Sequence, residues 1–160
     1  MYKILLVVIL ATVFVGLYAV QLDQEAAVQT FFELKRAVNR AAHAAAQQIE
    51  LGQLSGGVIS FDEVAARQSV ERYLQRNLRL DEQLVANDGG SIQGQVDIRV
   101  FELIDRSYPF PYHYVNEAYD YEVTLERPGV VLIIYAEYHR MFQALEPIYW
   151  YVKGAAEIVR

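Results

Sequence analysis

The sequence predicts an α+β fold: a long N-terminal helix, hydrophobic in its first half, then a second helix, then a four-stranded, mostly antiparallel sheet packed on the helix. Three observations carry this. Residues 4–20, ILLVVILATVFVGLYAV, hold no charge. The stretch Gln21 to Leu51 contains neither Gly nor Pro and is rich in good helix formers. From Val96 onward the apolar period changes from three or four to two. With 160 residues, 54% of them hydrophobic, the chain suits one modest domain with a real core and is not globally disordered.

The first element begins in apolar sequence. A helix over residues 4–20 covers roughly 25 Å, and adding Gln21 and Leu22 brings it closer to the roughly 30 Å of a bilayer core. Lys3 lies before the apolar run, and Asp23 and Glu25 lie just after it. The excess of positive charge on the near side places the N-terminus in the cytoplasm and residues 23–160 outside. A cleaved secretory signal is the competing reading, with Leu17-Tyr18-Ala19 as a fair cleavage site. We read a retained single-pass anchor: 1–22 as the membrane-spanning or filament-core half of the helix, and 23–160 as an extracytoplasmic α+β domain.

The helix continues through 23–51. Its polar stripe is Gln29, Glu33, Arg36, Arg40, His43, Gln47 and Glu50. An apolar line on another face runs through Ala27, Phe31, Leu34, Val38, Ala41 and Ala45. One continuous helix from Ile4 to about Leu51 would be roughly 70 Å long. Gly52, Gly56 and Gly57 supply the turn that ends it.

Ser60-Phe61-Asp62-Glu63 fits a capping box, with Ser60 as the N-cap of a second helix over 61–80. Its expected buried side is Phe61, Val64, Ala65, Val70, Tyr73, Leu74 and Leu78. Asn87-Asp88-Gly89-Gly90-Ser91 reads as a loop.

The sheet, about 92–160, begins where Val96, Ile98 and Val100 alternate with Asp97 and Arg99. Tyr119, Tyr121, Val123 and Leu125 alternate with Asp120, Glu122, Thr124 and Glu126. Arg127-Pro128-Gly129 is a turn, and Val130 to Tyr138 returns as an apolar strand. The last strand, Ile148 to Val159, places Trp150, Val152, Ala156 and Ile158 on one face. A sheet with one apolar face needs a helix to cover it, so residues 23–160 read as a single unit.

This layout, a protruding helix hydrophobic in its first half with an antiparallel sheet on its second half, resembles the type IV pilin and pseudopilin superfamily, including the minor pseudopilins of tight-adherence systems. The resemblance covers the whole chain as architecture, and its sequence support lies in residues 4–51. Most members carry a Glu at the fifth mature position, where this chain has Leu5. A divergent or minor subunit is therefore the better fit. The resemblance implies a structural protein whose helix waits in membrane lipid and then packs against copies of itself, or other pilin-like subunits, in a cell-surface filament or secretion pseudopilus. The residues expected to make that contact are Val8, Thr12, Gly16, Ala37, Ala41 and Ala45. The three alanines form a small-xxx-small ladder that lets helices approach closely. The plainer account of the ladder is an Ala-rich helix lying against its own sheet.

Other chemistry is sparse. There is no cysteine, which excludes disulfides, thiolate metal sites and cysteine catalysis. The net charge is −6, and setting Lys3 aside leaves 13 basic against 20 acidic residues, so no nucleic-acid partner is expected. His43, His113 and His139 lack metal-ligand spacing. The Gly89–Gly94 stretch lacks the Lys and the preceding strand of a phosphate loop. Carboxylate pairs such as Asp120 and Glu122 arise without meaning on so acidic a surface. Arg72, Arg76 and Arg79 line one helix face and read as a solvated, partly paired stripe, with Glu63 able to pair with Arg67. We expect no enzymatic activity, catalytic residue, cofactor or metal.

The most unusual local feature is Tyr108-Pro109-Phe110-Pro111-Tyr112-His113-Tyr114, and nine of the twelve tyrosines lie from Tyr108 onward. Prolines hold this segment out of helix. Tyr108, Phe110, Tyr112 and Tyr114 read either as a contact surface for a ligand or partner or as rings covering one end of the core. The first of these carries the alternative function, a single-pass anchored binding module with the long helix as a stalk.

Overall fold

The computed structural model describes residues 2–50, 60–87, 92–140 and 146–159. The fold is α+β, as the sequence predicts. Helix α1 runs unbroken over Tyr2–Ala46, 45 residues, with the apolar half and the amphipathic half on one axis. No residue from Tyr2 to Leu22 is buried. Burial starts at Asp23 and then follows Ala27, Thr30, Leu34, Ala37, Val38, Ala41, Ala42, Ala45 and Ala46. That is the expected apolar line, with Phe31 half-buried at its edge.

Helix α2 spans Glu63–Leu78. Its N-cap is Asp62, whose carboxylate accepts from the Ala65 N–H at 2.9 Å. Ser60, the expected cap, instead donates its hydroxyl to Glu50 Oε2 at 3.2 Å. The reason is an antiparallel bridge between Ile49 and Phe61, which holds Phe61 extended and delays the helix until Asp62. The same bridge accounts for α1 ending at Ala46 rather than Leu51. The buried side of α2 is Ala66, Ser69, Val70, Leu74 and Leu78. Val64 and Tyr73, expected inside, are exposed. The Gly52, Gly56 and Gly57 turn and the Asp88-Gly89-Gly90-Ser91 part of the later loop lie outside the described residues.

The strands are β1 (Asp97–Ile104), β2 (Tyr112–Asn116), β3 (Tyr121–Leu125), β4 (Gly129–Tyr138) and β5 (Ile148–Glu157). They form a three-stranded antiparallel sheet, β1-β4-β5, and a separate two-stranded sheet, β2-β3. The single four-stranded sheet is thus replaced by three strands and a hairpin. The extra strand, β2, comes from the Tyr112–Tyr114 end of the aromatic segment, which pairs with β3 from Tyr112↔Leu125 to Asn116↔Tyr121.

Strand β4 explains the arrangement. Val130, Leu132, Ile134 and Ala136 enter the main core with α1 and α2, while Val131 joins a second cluster with Ile104, Tyr114 and Leu125. With both faces covered, the strand reads as a continuous apolar run instead of an alternation. Strand β5 lies along α1. At Gly154 a side-chain Cβ would stand 2.7 Å from Val38 Cγ1 and 3.0 Å from Asn39 Oδ1, so only glycine permits this approach. The Lys35 ammonium donates to the Lys153 carbonyl and ties helix to strand again. Burial, with the Lys153 charge adding, holds the Lys35 ammonium below its ordinary value.

Candidate functional site

The first candidate is the exposed half of α1. Val8, Thr12 and Gly16 recur every four residues and share one face. All three are exposed. The Thr12 hydroxyl donates to the Val8 carbonyl at 2.9 Å. That bond satisfies the Thr12 hydroxyl within its own helix, a requirement inside lipid. A Cβ at Gly16 would meet nothing within 4 Å, so the position is open to a neighbouring surface.

Ala37, Ala41 and Ala45 lie elsewhere. They are buried in the main core beside Val70, Leu74 and Val152, covered by α2 and the sheet of this same chain. The structure therefore does not bring the six expected contact residues onto one available surface. The ladder is filled from within, and Val8, Thr12 and Gly16 stand free of the domain.

The two halves of α1 meet at Asp23. Its side chain is 0% exposed and pairs with the Arg140 guanidinium at 3.2 Å, the distance from Nη1 to Oδ2. The first carboxylate after the apolar run is thus neutralised where the helix enters the folded domain. Beside it, Ala27, Val28, Phe31 and Phe32 of α1 and Ile148 and Trp150 of β5 line an apolar groove of about 460 Å³. The Phe31 and Trp150 rings meet edge-on at 5.7 Å, and Trp150 touches Tyr138 at 5.6 Å. Burial, reinforced by the Asp23 charge, raises the Tyr138 phenol above its ordinary value, with Arg140 opposing.

The second candidate, the aromatic segment, turns mostly inward. Tyr114 is buried; its hydroxyl donates to Glu102 Oε1 at 3.0 Å and accepts from Asn116 Nδ2 at 3.1 Å. Phe110 and Tyr112 pack on the second core cluster. Tyr108 is exposed and rests on Tyr112, ring centroids 4.7 Å apart. These rings cover one end of the core.

A more open aromatic patch lies on the outer face of the three-stranded sheet. Tyr135 stacks on Tyr149 at 6.1 Å and contacts Tyr151 at 5.4 Å. Tyr119 meets Tyr151 at 5.2 Å, and the Arg99 guanidinium sits 5.1 Å from the Tyr135 ring centre. The sequence signal for it was present in β5. Tyr149 and Tyr151 alternate with the inward Trp150 and Val152, and the register sets Tyr151 opposite Tyr135.

The three histidines are exposed and separate. His113 contacts Thr124 Oγ1 at 3.1 Å, and His139 lies 3.3 Å from Glu137. Among the described residues no group of three His, Cys, Asp or Glu side chains could hold a metal. Arg72, Arg76 and Arg79 are exposed, and Arg67 pairs with Glu71 at 3.4 Å rather than with Glu63.

Neither a family model, nor a curated protein, nor a solved structure matches the chain. What can be said of its role rests on its own geometry: a long, exposed, apolar N-terminal helix of membrane-anchor or signal character, continuous with a helix-on-sheet domain.

Proposed function

We propose that this chain is a membrane-anchored structural subunit of pilin-like architecture. It assembles through the apolar half of α1 into an extracellular filament or a secretion pseudopilus. One observation carries the reading. No residue from Tyr2 to Leu22 is buried, yet they belong to one helix whose second half packs its apolar line against α2 and the sheet. Exposed hydrophobic area of that extent needs either lipid or other helices around it. A rigid, continuous helix can exchange one for the other without unfolding the domain it carries.

The partners in this reading are copies of the chain or other pilin-like subunits, with membrane lipid before assembly. The role is non-enzymatic and calls for no cofactor. Because α2 and the sheet occupy Ala37, Ala41 and Ala45, intersubunit contact falls to the Val8, Thr12 and Gly16 face.

The test is Gly16→Leu in the full chain. Assembly, read as sheared surface fibres or as crosslinked oligomers in membrane extracts, is expected to be lost. The circular dichroism and thermal transition of the domain are expected to stay unchanged, since Gly16 touches none of it. Undiminished assembly would contradict the reading.

A further inference from the structure

The junction between the two halves of α1 points to a second lipid contact, one that rests on the anchored reading above. We propose that the groove lined by Ala27, Val28, Phe31, Phe32, Ile148 and Trp150 receives a phospholipid from the external leaflet of the membrane that α1 spans. The domain then sits on the bilayer instead of standing clear of it.

Geometry supplies the first argument. Helix α1 is unbroken through this region, so the height of the groove above the span is fixed by the helical rise. The groove residues of α1 begin soon after Leu22. At about 1.5 Å per residue, Ala27 to Phe32 lie roughly 7–15 Å beyond it along the axis. The interfacial zone of a bilayer adds about 5–8 Å on each side of the hydrocarbon core. Helical side chains lean back toward the N-terminus, which brings Val28 and Phe32 down toward that zone. The apolar run from Ile4 to Leu22 covers roughly 28 Å, slightly short of a core of about 30 Å. A short span draws its flanking residues toward the lipid.

Chemistry supplies the second. Among the described residues, every side chain lining the groove is uncharged, and Gln24 is the polar one at its rim. Phe32 is 57% exposed and Val28 54% exposed, large apolar side chains left uncovered by the domain. Two carboxylates lie on α1 at this level: Asp23 is already paired with Arg140, and Glu25 is exposed, so in the interface it faces headgroups and water. Trp and Tyr favour this depth, and Trp150 and Tyr138 stand here in ring contact.

Trp150 is the only tryptophan in the chain, so the wild-type protein carries its own reporter. The full chain is reconstituted at high dilution in phosphatidylcholine vesicles carrying bromine either near the top of the acyl chains or at mid-bilayer. Vesicle flotation is measured on the same samples. The expected result is that the protein floats and Trp150 loses roughly half its emission to shallow bromine and little to deep bromine, as an interfacial ring should. Phe32→Ser, at an exposed position, weakens the shallow quenching and leaves flotation intact. Flotation without quenching by either lipid would overturn the inference and leave the anchor standing. Emission that changes only as protein density rises, without bromine dependence, would assign the groove to a second copy. Failure to float would overturn both readings.

Discussion

At Gly154 the sheet comes closest to α1, and the residue type is set by a distance. A valine there would place Cβ 2.7 Å from Val38 Cγ1, inside any real contact, and would push β5 off the helix. Gly154→Val is expected to cost about 1–3 kcal/mol, as other overpacked cores do, read as a lower urea midpoint at unchanged slope. Asp23 shows the opposite case, a charge kept inside because it has a partner. Removing either member of the Asp23–Arg140 pair leaves the other poorly solvated, which is why the two belong together at the neck of the molecule. Burial of Val38 and Asp23 themselves was unequally legible. The apolar line through Val38 follows from helical spacing, whereas nothing in the sequence ties Asp23 to Arg140, which lies 117 residues away.

At the scale of elements, α2 separates a sequence motif from the cap that forms. Ser60 and Glu63 have capping-box spacing, but the Ile49–Phe61 bridge gives the role to Asp62. Asp62→Ala is expected to destabilise the domain by about 1 kcal/mol, and Ser60→Ala by about half that or less. Thermal denaturation of the two variants side by side reads the difference. The β2–β3 hairpin makes a prediction about pH. Burial raises the phenols of Tyr114 and Tyr121 above the ordinary 10.0; at Tyr114 a hydrogen bond from Asn116 opposes the shift and Glu102 adds to it. In the unfolded chain these phenols ionise first. Their contribution to stability is therefore complete below pH 10.0 and is lost as pH rises through the folded values. Lys35 runs the other way, since its lowered value relieves a buried charge as pH rises toward 10.5. Replacing Tyr114 and Tyr121 together by Phe is expected to flatten the alkaline fall in the urea midpoint, at the cost of lower stability at neutral pH from the lost Glu102 and Asn116 contacts.

At the scale of the whole molecule, the long helix, its apolar line and the apolar character of β4 and β5 were readable because burial on one face imposes a period. The division of the strands into a sheet and a hairpin was not. It depends on β4 being covered on both faces, and on Val131 and Tyr114 meeting across the second cluster, which are contacts between distant segments. The candidate site divides the same way. The exposure of Val8, Thr12 and Gly16 follows from an uncharged run that packs on nothing else among the described residues. The fate of Ala37, Ala41 and Ala45 does not, since a small-residue ladder serves a neighbour's helix or its own domain equally well.

Assembly through the apolar half of α1 is the central claim, and a chain without cysteine allows a direct test of it. Single substitutions Val8→Cys, Thr12→Cys and Gly16→Cys, with Leu10→Cys and Phe14→Cys as controls off that face, are oxidised in native membranes and separated without reductant. The account predicts covalent dimers at positions 8, 12 and 16 and weak or no dimer at 10 and 14. Monomers at all five positions, or equal dimer at all five, would contradict it.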